Sequence, residues 1–194
     1  MITLDLDKNK TQMLLDLAKD LPELRKLKGF LRWDPHPVHA NSNKDGFDLD
    51  IFVYSLAEDK KVKSANDVVY FKNQWNANKS IGIPVDNRVG GGDDEYVMLD
   101  IPNLPADRHR FEIFIFLFEA KERKQNFGMI ANASFILADE ETGEEKVKYN
   151  LTQSYSQETA LHVGSLIREA SGFVFKPQGG SSIQNPNEVL QYYV

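Results

Sequence analysis

The chain has 194 residues, with 29 acidic against 23 basic side chains, a net charge of −6 and no cysteine. That length supports one domain with a real hydrophobic core, and the acidic balance excludes sequence-independent nucleic-acid binding, which needs clustered Lys and Arg to displace counterions from phosphates. The missing thiols exclude disulfides, zinc-thiolate sites and a cysteine nucleophile. Met1 to Asp7 lack the basic start and continuous apolar run of a signal peptide, so no export is expected and a cytoplasmic location is favoured.

In chain order, residues 2–7 read as a strand. Over 11–27, Leu14, Leu17, Leu21, Leu24 and Leu27 recur at helical spacing, which predicts an amphipathic helix or helix pair, with Pro22 restarting it after Asp20. It packs on the body or docks a partner protein. Runs rich in Val, Ile, Phe and Tyr, bounded by Gly, Asn, Asp and Pro, predict strands at 29–33, 47–56, 68–71, 96–101, 111–118, 130–139, 146–151, 160–167 and 172–176. Their number and spacing suit a mainly β fold, a sandwich of two sheets with short helices. After Glu112, residues 113–118 are apolar on both faces, so this strand is expected to be central and covered on both sides. The same run is far below the ~20 residues of a spanning helix, so direct membrane insertion is not expected. Residues 119–125 form a polar helical turn ended by Asn126-Phe127-Gly128. From Gln178 onward, Gly179-Gly180-Ser181-Ser182 reads as a flexible linker before a tail ending Tyr192-Tyr193-Val194. The domain reading is therefore one unit over 1–178, with the helical insertion at about 11–27, followed by a tail over 179–194.

The chemistry concentrates in two acidic clusters, Asp48-Leu49-Asp50 and the run from Asp86 to Glu95, which together place six carboxylates against one Arg88. At an effective dielectric near 20, two carboxylates about 6 Å apart repel by roughly 3 kcal/mol, so their convergence calls for a cation. In a strand, residues two apart share a face at roughly 6.5 to 7 Å, so Asp48 and Asp50 form a held pair while Leu49 and Ile51 enter the core. Calcium takes about 6 to 8 oxygen ligands, more than either cluster offers alone. The candidate site therefore combines Asp48 and Asp50 with Asp86, Asn87, the carbonyls of Val89 and Gly91, Asp93, Asp94 and Glu95. The competing reading is a merely solvated acidic turn. An EF-hand is excluded because Asp48-Leu49-Asp50 runs directly into Ile51-Phe52-Val53. Phosphate cradling by the three glycines is discounted, since three acids follow and no Gly-Lys-Ser/Thr is present.

Catalytic constellations are thin. His36-Pro37-Val38-His39 reads as an exposed turn rather than a transition-metal site, and His109 and His162 have no signalled neighbours. The serines at 154–156 lack a base, and nothing positions a sugar beside Glu119 and Glu122. No catalytic residue and no enzymatic activity are expected.

Taken together, Gly46-Phe47-Asp48-Leu49-Asp50, Val68-Val69-Tyr70-Phe71-Lys72-Asn73, Asp86-Asn87-Arg88, Gly92-Asp93-Asp94-Glu95, Gln125-Asn126-Phe127-Gly128 and Glu158-Thr159-Ala160 resemble the TerD family of tellurium-resistance and stress-response proteins. The motifs keep the family's order and spacing over about 29–178. The resemblance implies a β-sandwich that binds one or two Ca2+ ions through the Asp-Leu-Asp strand and the acidic loop. It also implies work with protein partners, among them a membrane protein of the TerC type. Against the family's loop, Asp-Asn-Arg-Thr-Gly-Glu-Gly-Asp-Gly-Asp-Asp-Glu, this one is two residues shorter, has Val89 in place of Thr and lacks one acid. The expectation is a calcium-binding adaptor. The alternative is an interaction scaffold or assembly module with weakened or lost calcium binding.

Overall fold

The computed structural model describes residues 2–6, 15–38, 46–84, 95–151 and 155–194. In chain order these form β1 (Ile2–Leu6), β2 (Leu15–Asp16), α1 (Leu17–Asp20), β3 (Lys26–Pro35), β4 (Leu49–Leu56), β5 (Val68–Val69), β6 (Ile81–Gly82) and β7 (Glu95–Asp100). They continue with β8 (Arg110–Leu117), α2 (Ala120–Arg123), β9 (Ile130–Asp139), β10 (Glu145–Leu151), β11 (Ala160–Glu169), β12 (Gly172–Ser182) and α3 (Pro186–Leu190). Among the described residues no helix is long and apolar enough to cross a membrane.

The strands build two six-stranded sheets, ordered β1-β10-β9-β3-β7-β6 and β2-β12-β11-β8-β4-β5. All pairs are antiparallel except β1 with β10, which run parallel. The main core lies between the sheets. Alternation supplies it: Leu49, Ile51 and Val53 from β4, Ile113 and Ile115 from β8, Val97 and Leu99 from β7, and Phe135 and Leu137 from β9 all point inward and are fully buried.

The second sheet is covered on its other face too. Phe52, Tyr54 and Leu56 of β4 and Phe114 and Phe116 of β8 form a separate buried cluster with Val189 of α3. This is why β8 reads as apolar on both faces: it lies between β11 and β4, with a packed layer on each side.

Two expectations are corrected. The helical segment over 11–27 is, in its described part, a two-residue strand, one helical turn and the start of β3, with residues 7–14 outside the described residues. Leu15 pairs with Phe175 of β12, and Leu17, Leu24 and Leu27 are buried in the main core. Pro22 stands two residues past the end of α1, and Leu27 alternates as a strand residue. Gly179 to Ser182 are not a linker; they complete β12, where Gly180, Ser181 and Ser182 pair with His162, Leu161 and Ala160. Residues 183–194 then fold back onto the second sheet. Tyr54 Oη donates to the Pro186 carbonyl at 3.0 Å, and the Val62 amide donates to the Tyr193 carbonyl at 2.7 Å. Asn185 caps α3, accepting from the Asn187 and Glu188 amides at 3.0 Å each.

Candidate functional site

Asp48 and Asp50 lie where the chain enters β4. Leu49 pairs with Leu117 and Asp50 with Phe116, and the Asp48 carbonyl accepts from the Phe118 amide at 2.9 Å. Since Leu49 and Ile51 face the main core, the two aspartates share the opposite face, in line with Phe52 and Tyr54. Both are buried, at 6% and 3% exposure, which for two carboxylates two residues apart is costly unless positive charge offsets it.

Glu95 opens β7 on the other sheet, opposite Leu31, and alternates with Val97 and Leu99 into the interior, at 1% exposure. Strand β7 packs against β4 across the sandwich. Three of the expected ligands are thus buried acids on two packed strands, with Asp48 and Asp50 on one face of β4 and Glu95 pointing between the sheets. Asp86, Asn87, Val89, Gly91, Asp93 and Asp94 lie outside the described residues, which by themselves hold no group of three or more acidic or histidine side chains arranged for a metal.

One further residue is tied to the segment that leads into the aspartates. Glu119 and Lys124, with φ of 49° and 55°, bracket α2 in the left-handed region, a conformation non-glycine residues adopt at some cost. This tight turn delivers Gln125, whose amide bonds the Ala120 carbonyl at 2.8 Å. Its side chain is 4% exposed, and Nε2 donates to the Gly46 carbonyl at 2.7 Å, two residues before Asp48. That bond fixes the orientation of the amide and leaves Oε1 buried with no hydrogen-bond donor. A buried carbonyl oxygen that lacks a donor is stabilised by a cation. Carboxylate and amide oxygens of this kind are the hard donors calcium takes. The sequence placed Gln125 only at the end of a polar turn; its signal was its place before Asn126-Phe127-Gly128.

The other candidates resolve differently. His36 is half-buried, and its Nδ1 accepts from the Val38 amide at 3.3 Å, while His39 lies outside the described residues. Glu119 reaches Arg123 at 3.4 Å, and both Glu119 and Glu122 are surface residues. His162, expected to have no neighbour of consequence, has its Nε2 2.7 Å from Glu112 Oε2. Burial drives the Glu112 carboxyl up, but His162, Ser165 and Arg110 outweigh it and hold it below the usual glutamate range. A single acid opening an otherwise apolar strand was the available clue.

The TerD domain family model matches residues 3–193, including the segment that folds back on the second sheet. General stress protein 16U of Bacillus subtilis (strain 168) is 34% identical over 167 residues, 85% of each chain. The tellurium resistance protein TerD of Alcaligenes sp is 29% identical over the same share. In structure, a homologue of telluride resistance protein (TerD) from Streptomyces coelicolor A3(2) superposes with a TM-score of 0.69 at 20% identity, covering 86% of this chain and 95% of that one.

Proposed function

The chain belongs to the TerD domain family of tellurium-resistance and stress-response proteins, and from that premise we propose that it is a non-enzymatic calcium-binding adaptor of the cytoplasm. The observation that carries this reading is the burial of Asp48 and Asp50, together with the donorless Oε1 of Gln125, whose amide is tied to Gly46 two residues before Asp48. Asp48 and Asp50 supply one pair of oxygens, and Asp86, Asn87, Asp93 and Asp94, with the Val89 and Gly91 carbonyls, supply the rest; Glu95, turned between the sheets, would have to reach the ion from the other side. Bound calcium offsets the repulsion among the acids and shapes a surface that a protein partner reads. A TerC-type membrane protein is one such partner.

Thermal unfolding of chelator-stripped protein across a calcium series, with magnesium as control, tests this. Free calcium at about 100 times the dissociation constant stabilises the fold by about 2.7 kcal/mol. A flat midpoint sinks the reading. It would then favour an assembly module that has lost its ion, for which the shortened loop and the exposed Ile183 (76%) and Val194 (58%) speak.

A further inference from the structure

The second sheet carries a β-bulge between His162 and Gly164, where β11 slips by one residue against both β8 and β12. Val163 enters the main core, and Gly164 sits so close to Phe175 that an added Cβ would stand 2.3 Å from its ring. In a regular strand His162 and Ser165, three apart, would face opposite ways. The extra inward residue brings both to the outer face.

There they meet one carboxylate. Glu112, 3% exposed, has Oε2 2.7 Å from His162 Nε2 and accepts from Ser165 Oγ at 2.5 Å, while Arg110 pairs with its Oε1. Ser165 Oγ in turn accepts from Arg110 at 2.9 Å and Gln178 Nε2 at 3.0 Å. An ionised carboxylate only accepts, so His162 Nε2 carries the hydrogen in this contact; in the Nε2–H tautomer Nδ1 is the acceptor, and it makes no hydrogen bond among the described residues. The imidazole lies flat on Phe114, with centroids 4.2 Å apart at 8°.

This ring lines a cleft of about 230 Å³, bounded also by Phe114, Ser181, Gln184, Tyr192 and Tyr193, where the 183–194 segment crosses the sheet. Burial, aided by Glu112, pushes the Tyr193 hydroxyl up to about 12, so it remains a donor at neutral pH. Gln184 Nε2 donates to Tyr192 Oη at 2.7 Å, bracing a ring that is 64% exposed.

We propose that this cleft binds a small, neutral, planar aromatic molecule carrying an N–H or O–H donor, of indole or purine type, that stacks against the aromatic walls and donates to His162 Nδ1. The volume is below the ~300 Å³ at which drug-sized pockets begin and far too small for a peptide helix, but it admits a bicyclic ring. Glu112 is already balanced by Arg110 and is itself negative, so the site offers an anion nothing. The His–Glu pair fixes the tautomer, as an outer partner does for a ligating histidine. The site is separate from the calcium reading and stands or falls independently of it.

The test is a titration of the full chain with indole, 1-methylindole and benzoate, followed by NMR of the His162 ring and tyrosine signals. The expected result is saturable binding of indole below about 1 mM, with 1-methylindole about tenfold weaker and benzoate not binding. His162→Phe keeps the stack on Phe114 but removes the acceptor, and should erase the preference for indole over 1-methylindole. Because that change also takes a partner from Glu112, Tyr192→Ala, at a surface ring, is the second variant and should weaken all aromatic binding about tenfold with unfolding unchanged. Indole that fails to saturate, or that binds Tyr192→Ala as tightly as the parent, overturns the proposal.

Discussion

One face of strand β4 carries two unlike halves. Asp48 and Asp50 at its start are buried acids; Phe52, Tyr54 and Leu56 farther along are buried rings and an aliphatic chain. The second half is closed by the protein itself: Phe52 stacks on Tyr70 at 4.9 Å and meets Phe116 edge-on at 5.1 Å, and Tyr54 lies against Tyr193 at 5.7 Å. The first half buries two carboxylates on one face. A single row of side chains thus carries both a closed apolar layer and the acids on which the proposed calcium site rests. Farther along the neighbouring strand, Glu112 is held by His162, Ser165 and Arg110.

The largest break should come in the self-closed half. Phe52→Ala is expected to cost about 3 to 5 kcal/mol in denaturant unfolding, equally with calcium and with chelator. A calcium-dependent cost would mean the two halves are coupled. Next, Arg108→Ala strands Asp67 beside that half. The guanidinium reaches its carboxylate at 2.8 and 3.0 Å, with side chains 12% and 9% exposed, so a loss of about 3 kcal/mol is expected. In the charged half, Asp48→Ala with Asp86→Ala should abolish the calcium-induced gain of about 2.7 kcal/mol, and calorimetry that still finds the ion bound would reassign the site.

The pH dependence sharpens the contrast. Burial raises the Asp67 carboxyl, but Arg108 and the Lys63 and Ser64 amides outweigh it and hold it low, as the partners of Glu112 do. A depressed folded value means the unfolded chain binds more protons. These groups therefore contribute fully above the ordinary carboxylate range near pH 4 and lose that contribution as pH falls below it. Glu112→Gln should flatten the stability curve below about pH 4.5, measured by urea unfolding at stepped pH. The smallest effect is Lys61→Ala, which removes an exposed bond of 2.6 Å from Nζ to the Val194 carbonyl and should change stability by about 0.5 kcal/mol or less.

The strands were legible because alternation is local. The expected strand at 130–139 is β9 itself, and the doubly apolar 113–118 run announced a strand with layers on both faces. What failed was non-local. Leucines at helical spacing between 14 and 27 proved to serve a strand, a single turn and another strand, since the sheet partners at Phe175 and Asp139 lie far along the chain. The glycines and serines at 179–182 look like a linker but pair with 160–162, and small side chains suit a strand crossed by another segment. At the candidate site, Asp48 and Asp50 were readable from spacing. Gln125 was not, because its meaning arises only when α2 returns to Gly46. His162 was missed because a bulge sets its direction, and a bulge leaves little trace in sequence.

The late pairing of early segments has a consequence for how the chain is made. Strand β1 can find its place only beside β10, and the Val62 amide is satisfied only by the Tyr193 carbonyl. While residues beyond 180 are still inside the ribosome, Tyr54, Phe114 and Phe116 stand bare on the outer face of an unfinished sheet. Synthesis therefore passes through an interval in which an aromatic surface is open to misassociation. The outer aromatic layer is therefore closed last, and its closure depends on contacts of high sequence separation.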